Sequence, residues 1–309
     1  MKNFDFIKHR KLFVCISIAV LLIGFLCNIF MGVELDINFK GGTLLKYSYE
    51  GDLNTQEVQD FVKEKLPEAS VDIAENGESG LKTITISMTD NLDSKTQTNF
   101  QSVLAGKFPS NSIKEISTNS LQPSNGRMFF IKCLVAIALA SLFLVIYVGL
   151  RFRKIGGFSA GVMALLALVH DIIIAYFVFV IFRIPLNDNF VAVVLTILGY
   201  SLNDTIVIYD RIRENRTIMD KRTPIAEVVN VSLNQSFSRT LNTSICTFVA
   251  IGTVAVIALF NSMSSIISFA LPMTVGVVAG FYSTTFLCTP LWVLWVQHSQ
   301  RRKELKAKK

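Results

Sequence analysis

Predominantly apolar residues fill long stretches at 12–31, 129–149, 157–182, 190–209, 241–260 and 266–296. At a rise of about 1.5 Å per residue, each is long enough to cross the hydrocarbon core of a bilayer as a helix. The last is overlong and contains Pro272 and Pro290, so it is expected to tilt, kink or end before residue 296. After the fourth span, Thr223-Pro224 reads as a helix start, with Thr as N-cap and Pro at the first helical position. Ile225, Val228, Val229 and Phe237 then suit a short helix lying at the membrane interface.

Between the first two spans the period changes. Residues 43–49 read as a strand, and 54–66 as a helix with Val58, Phe61, Val62 and Leu66 on one face. Residues 70–74 are strand-like and 81–88 alternate strictly. Residues 93–108 are helical with Phe100, Val103, Leu104 and Phe108 on one side, and 112–118 alternate again. The order βαββαβ predicts a ferredoxin-like α+β domain. The expected architecture is therefore an α-helical polytopic membrane protein with six transmembrane helices and that domain between helices 1 and 2. Its parts are 1–32 (N-terminus and first helix), 33–128 (exported, periplasmic domain), 129–297 (five further helices) and 298–309 (basic tail).

Composition agrees: the chain has 309 residues and is 51% hydrophobic. Its net charge of +7 resides in membrane flanks. Lys8, Arg10 and Lys11 precede span one; Arg151, Arg153 and Lys154 follow span two; Arg211, Arg213, Arg216, Lys221 and Arg222 follow span four; Arg301, Arg302 and Lys303 follow span six. If every span crosses, all four clusters share one side, which places both termini in the cytoplasm and argues against nucleic-acid binding. Span one lacks a small-x-small cleavage pattern and reads as a retained anchor. All five cysteines lie in spans, so no disulfide framework or cysteine metal site is indicated. The exported segment holds no His, Cys or convincing acid pair, and the chain has no phosphate-binding glycine motif. No enzyme activity or cofactor is expected.

Chemistry concentrates inside the membrane. Asp204 interrupts the fourth span, where a carboxylate costs at least a few kcal/mol. Thr196, Tyr200 and Asp204 recur every four residues, with Gly199 and Asn203 alongside, forming a polar stripe. In the third span Ala160, Ala164, Ala167, Asp171 and Ala175 share a small-residue face that brings Asp171 against another helix; His170 points about 100° away. In the fifth span Arg239, Asn242, Thr243 and Cys246 share a face, and Arg239 lies at a depth where it meets Asp204 if the two spans face each other. Gly276, Gly280, Thr284 and Cys288 repeat every four residues in the sixth. An ion or proton pathway and buried structural acids are the two readings of this set. The paired glycines Gly41-Gly42, following Asp36, suit a bulge or positive φ at a strand entrance.

One span, an exported domain and five further spans resemble half of an RND-type transporter. Within that superfamily the chain is similar to SecF-type members of the SecD/SecF family. The residues that carry the resemblance are Asp36 to Thr43, Ala167-Leu168-Val169-His170-Asp171, Gly199-Tyr200-Ser201-Leu202-Asn203-Asp204-Thr205 continuing into Asp210-Arg211, Asn230 to Gln235, and Arg239-Thr240-Leu241-Asn242-Thr243-Ser244. The resemblance implies a SecD partner that supplies the other half, the Sec channel (SecYEG), a translocating unfolded polypeptide, membrane lipid, and protons as the energy source in the bacterial cytoplasmic membrane. It places Asp204 and Arg239 in the proton pathway, with Asn203 and Asp171 as further relay candidates. A small-molecule RND exporter is the competing transporter reading, but such exporters usually carry both halves and larger exported domains in one chain. An intramembrane aspartyl protease using Asp171 and Asp204 lacks its Gly-x-Gly-Asp motif here.

Overall fold

Among the described residues of the computed structural model, six helices are long and apolar enough to cross a membrane. The structure describes residues 4–36, 39, 42–67, 69–76, 81–88, 92–121, 123–220, 222–261 and 263–307. Helix α1 (Arg10–Met31) ends at Gly32, whose φ of +67° lets the chain turn away. Helices α4 (Pro123–Arg151), α5 (Gly157–Ile181), α6 (Asp188–Ile218), α7 (Ile225–Phe260) and α8 (Ser264–Tyr282) follow the inserted domain, and a π-helical segment (Ser283–Cys288) joins α8 to α9 (Thr289–Ala307).

Two boundaries differ from the sequence expectation. Helix α7 is one 36-residue rod, with no separate interfacial helix after Thr223-Pro224. No glycine or proline occurs from Ile225 to Ile251, so nothing stops the amphipathic turns from continuing into the apolar ones. Thr223 does not cap it; Pro224 occupies the N-cap position and no side chain caps the helix. Of the outcomes expected for the sixth span, an end before residue 296 is the one that does not occur, because the π segment carries it through to α9. Pro290 cannot donate a backbone bond, and just before it the Thr289 hydroxyl donates to the carbonyl of Thr284 at 2.9 Å.

The segment between α1 and α4 comprises β1 (Gly42–Tyr49), α2 (Thr55–Lys65), β2 (Ser70–Asn76), β3 (Leu81–Met88), α3 (Ser94–Lys107) and β4 (Lys114–Leu121). The sheet order is β2-β3-β1-β4, and every neighbouring pair is antiparallel. Leu45, Tyr47, Ile84 and Ile86 of the sheet pack with Val58, Val62, Phe100 and Leu104 of the helices in one core. Burial and the nearby Glu115 push the Tyr47 hydroxyl up to about 12. The side chain of Asn54 accepts from the Gln56 amide, and that of Asp93 from the Thr96 amide, capping α2 and α3; hydrogen bonding by the Thr96 hydroxyl, and then by its amide, holds the Asp93 carboxyl below its usual range.

Two staples join distant parts of the chain. Beyond α1, Asp36 N–H donates to Leu186 O at 2.9 Å and Leu186 N–H to Glu34 O at 2.8 Å, while Arg183 pairs with Glu34 and donates to Met31 O. This binds the exit of α1 to the α5–α6 turn. At the other end, Phe4 N–H donates to Asn234 Oδ1 at 3.0 Å and Phe6 N–H to Asn230 Oδ1 at 2.9 Å. Phe6 and Phe13 pack on Phe286 of the π segment. Asparagines one turn apart thus read the backbone of the N-terminal segment.

Helices α4 and α5 cross where glycines allow near contact of the backbones. A Cβ on Gly157 would sit 2.1 Å from the carbonyl oxygen of Gly149. Since a backbone group cannot rotate away, Gly157→Ala is expected to lower stability by about 1–3 kcal/mol. Thermal unfolding in detergent checks this, with Gly252→Ala, which meets only Thr274 at 3.8 Å, as the neutral comparison.

Candidate functional site

The small-residue face of α5 is buried along its length: Ala160, Ala164, Ala167, Asp171 and Ala175 all lie inside the bundle. It sets Asp171 among three elements. Asp171 is fully buried, and its Oδ2 accepts from Ser201 Oγ on α6 at 2.7 Å and from Ser283 Oγ at the start of the π segment at 2.8 Å. His170 Nδ1 lies 3.0 Å from Oδ1. Both oxygens are therefore occupied, which is how a buried polar group is tolerated.

Asp204 is placed differently. It sits three residues after Ser201 and is 1% exposed, and its Oδ2 has no hydrogen-bond partner among the described residues. No hydrogen bond joins it to Asp171, so the two acids do not form the proton-sharing dyad of an aspartyl protease. Tyr200, one turn earlier, donates to Ser244 Oγ of α7 at 2.8 Å and ties the two helices together at this level.

The expected meeting of Arg239 with Asp204 does not occur in this structure. Helices α6 and α7 do pack, yet Arg239 is exposed and forms no ion pair among the described residues. The cause is helical phase. Ser236, Thr240 and Ser244 occupy the buried side of α7, and Arg239 falls about 100° round from Thr240. It belongs instead to an exposed strip with Asn242, Thr243 and Cys246. On α6 the predicted stripe splits in the same manner: Thr196, Gly199 and Asn203 are exposed, while Asp204 turns inward. A Cβ on Gly199 would meet nothing within 4 Å. The bundle therefore presents a polar, small-residue surface at membrane depth, with the unpartnered carboxylate oxygen just beneath it.

At the entrance to the inserted domain, Asp36 is held at the α1 staple and Gly42 has a φ of +137°, the conformation that favours glycine. Gly41 lies outside the described residues. Sequence reasoning missed Ser201 and Ser283 as partners of Asp171. The signal was present in the hydroxyl run Ser283-Thr284-Thr285 inside an apolar span, but the four-residue repeat through Thr284 drew attention to packing. Ser283 lies on the same face, three residues after Gly280 and seven after Gly276, at spacings that a strict four-residue repeat skips.

Comparison with known proteins adds the lineage. Residues 100–298 match the family described as "Protein export membrane protein SecD/SecF, C-terminal". The protein translocase subunit SecF of Petrotoga mobilis is 32% identical over 99% of this chain and 100% of its own length. The fused SecDF of Bacillus subtilis is 29% identical over 95% of this chain, which spans 38% of that relative. The crystal structure of SecDF from Thermus thermophilus, a translocon-associated membrane protein, superposes with a TM-score of 0.77 at 25% identity over 96% of this chain. The chain spans 39% of that structure's length. A second SecDF structure, in a super-membrane-facing form, gives 0.63 at 27% identity over the whole chain and 40% of its own. By its family match and by the full-length likeness to SecF relatives, this chain belongs to the SecD/SecF family of protein-export membrane proteins.

Proposed function

We propose that this chain is the SecF-type half of a proton-driven accessory complex of the Sec protein translocase. It pairs with a SecD half and assists the movement of an unfolded polypeptide emerging from the SecYEG channel. The observation that carries the reading is the buried Asp204 oxygen without a partner, lying beneath an exposed polar face. A polar helix face is costly against lipid, so that face is assigned to the SecD half. Fused SecDF relatives, which hold both halves in one chain, support the pairing.

In this reading Asp204 takes up and releases the proton, and Arg239, Asn203 and their surroundings supply the path at the interface between the halves. One charge crossing 100 mV yields about 2.3 kcal/mol, which biases a two-state equilibrium about fifty-fold. Asp171 holds α5, α6 and the π segment in register through its three hydrogen bonds. The measurement that tests the function is export of a secreted protein into membrane vesicles with and without a proton gradient, with the wild-type chain and with Asp204→Asn.

The fold assignment belongs to the same proposal. Residues 33–128 form a ferredoxin-like exported domain, supported by the β2-β3-β1-β4 order and by helices α2 and α3, which share one core with the sheet. Residues 1–32, 129–297 and 298–309 are the anchor, the half bundle and the basic tail, with both termini cytoplasmic and the chain in the bacterial inner membrane. Asn99 and Lys306 are both exposed. In a cysteine-free background, a membrane-impermeant maleimide applied to spheroplasts is expected to label Asn99→Cys and not Lys306→Cys. Labelling of Lys306→Cys from outside defeats the orientation.

A further inference from the structure

The N-terminal staple creates a cavity that the transport reading does not use. It measures about 470 Å³ and is lined in part by Asp5, Lys8, Arg10, Lys11, Glu227 and Asn230. We propose that it binds the headgroup of a membrane phospholipid carrying both a phosphate and a primary ammonium, the chemistry of a phosphoethanolamine lipid.

Position comes first. Arg10 is the first residue of α1, a helix of spanning length. Helix α7 has 36 residues, about 54 Å, and the hydrocarbon core is about 30 Å thick, so α7 overshoots the core. Glu227 and Asn230 sit in its first turns, tied to the start of α1 through the N-terminal segment. The cavity therefore lies at headgroup level beside the first turn of α1.

Charge comes second. Three cations and two acids surround the cavity, and none of the five enters an ion pair among the described residues. Opposite charges gathered without pairing suit a ligand that itself carries both signs. A phosphate faces Lys8, Arg10 and Lys11, aided by the positive end of α1, whose first turn contains no acid. A primary ammonium faces Asp5 and Glu227 and donates hydrogen bonds to them. A trimethylated ammonium has no N–H to donate, and a glycerol headgroup brings no positive group of its own to the two acids.

Rigidity comes third. Lys8 N–H donates to Asp5 Oδ1 at 3.0 Å and His9 Nδ1 lies 2.8 Å from Asp5 O, so a closed turn presents the acid. Asn230 and Asn234 fix the segment to α7 through its backbone. The recognising groups are thus held in place before the ligand arrives.

Native mass spectrometry of the full-length protein, titrated with phosphatidylethanolamine, phosphatidylglycerol or phosphatidylcholine of matched chains, tests the proposal. Phosphatidylethanolamine is expected to be retained at least tenfold more tightly than the other two. Replacing Lys8, Arg10 and Lys11 together by Gln is expected to reduce its retention at least tenfold. Glu227→Gln, near-isosteric and on an exposed position, is expected to erase the preference over phosphatidylglycerol while leaving the fold unchanged by circular dichroism. Equal retention of the three lipids, tighter retention of phosphatidylglycerol, or an unchanged preference in Glu227→Gln overturns it. Displacement of the lipid by millimolar water-soluble phosphoethanolamine shows a soluble ligand's site and likewise overturns it.

Discussion

Asp204→Asn is expected to abolish stimulation of export by a proton gradient while leaving the amount of assembled complex unchanged. The substitution keeps the side-chain volume and one carbonyl oxygen, so packing around α6 is retained. What disappears is the ability to change charge inside the bundle. Because Oδ2 of Asp204 has no partner among the described residues, no existing donor loses its acceptor, and the new amide NH2 replaces a group that was already unpartnered. Asp171→Asn is expected to behave in the opposite way. Its two oxygens receive Ser201, Ser283 and His170, and an amide NH2 in place of one oxygen faces a donor. That change is expected to cost about 1–3 kcal/mol of stability, visible as less purified protein, with coupling retained in the molecules that fold. Normal gradient-stimulated export by Asp204→Asn in a complemented strain shows the carboxylate to be structural and removes the proposed role.

The second large effect concerns pairing. Gly199→Leu is expected to leave this chain folded and to reduce copurification of the SecD half at least tenfold, about 1.4 kcal/mol in association. A side chain at Gly199 enters open space in the isolated bundle. The same substitution at Gly276 drives into Ile197, whose Cδ1 lies 2.2 Å from the Cβ position, and is expected to damage the chain itself. The contrast separates an interface glycine from a packing glycine on two neighbouring helices. Undiminished copurification with Gly199→Leu would show that the exposed strip of α6 is not where the other half sits.

Much of this architecture was legible because membrane and pleat each impose a strong period. Hydropathy located all six spans, and alternation at 81–88 located β3 to the residue. The inward turn of Asp171 followed from its alanine neighbours, since a small-residue face has to meet another helix. What escaped the sequence depended on phase over many turns. Arg239 and Asp204 lie at depths that allow a contact, but a difference of about 100° on α7 decides which residue faces inward. The polar start of α7 has the pattern of an interfacial helix, but the absence of any breaker before Gly252 lets it run on as one rod. Ser283 escaped because it shares the face of Gly276 and Gly280 at spacings of seven and three, whereas a strict four-residue repeat leads to Thr284 instead.

The staple at Leu186 makes α6 a push-rod for the inserted domain. From Asp188 to Asp204 the helix is unbroken, about 24 Å of stiff backbone, and a helix conveys an axial displacement from one end to the other with little loss. At its far end the turn is tied to Glu34 and Asp36, and from Asp36 to Gly42 the chain reaches about 20 Å at most. The domain's other root is β4, which ends at Leu121, two residues before α4 begins at Pro123. The sheet thus hangs from two mounts, one fastened to α6 and one continuous with α4. Sliding of α6 along α4 by a single helical rise moves one mount relative to the other, and a body held at two such points responds by rotating. An axial displacement of the helix that carries Asp204 would therefore reach the four-stranded sheet as a rotation about its second mount.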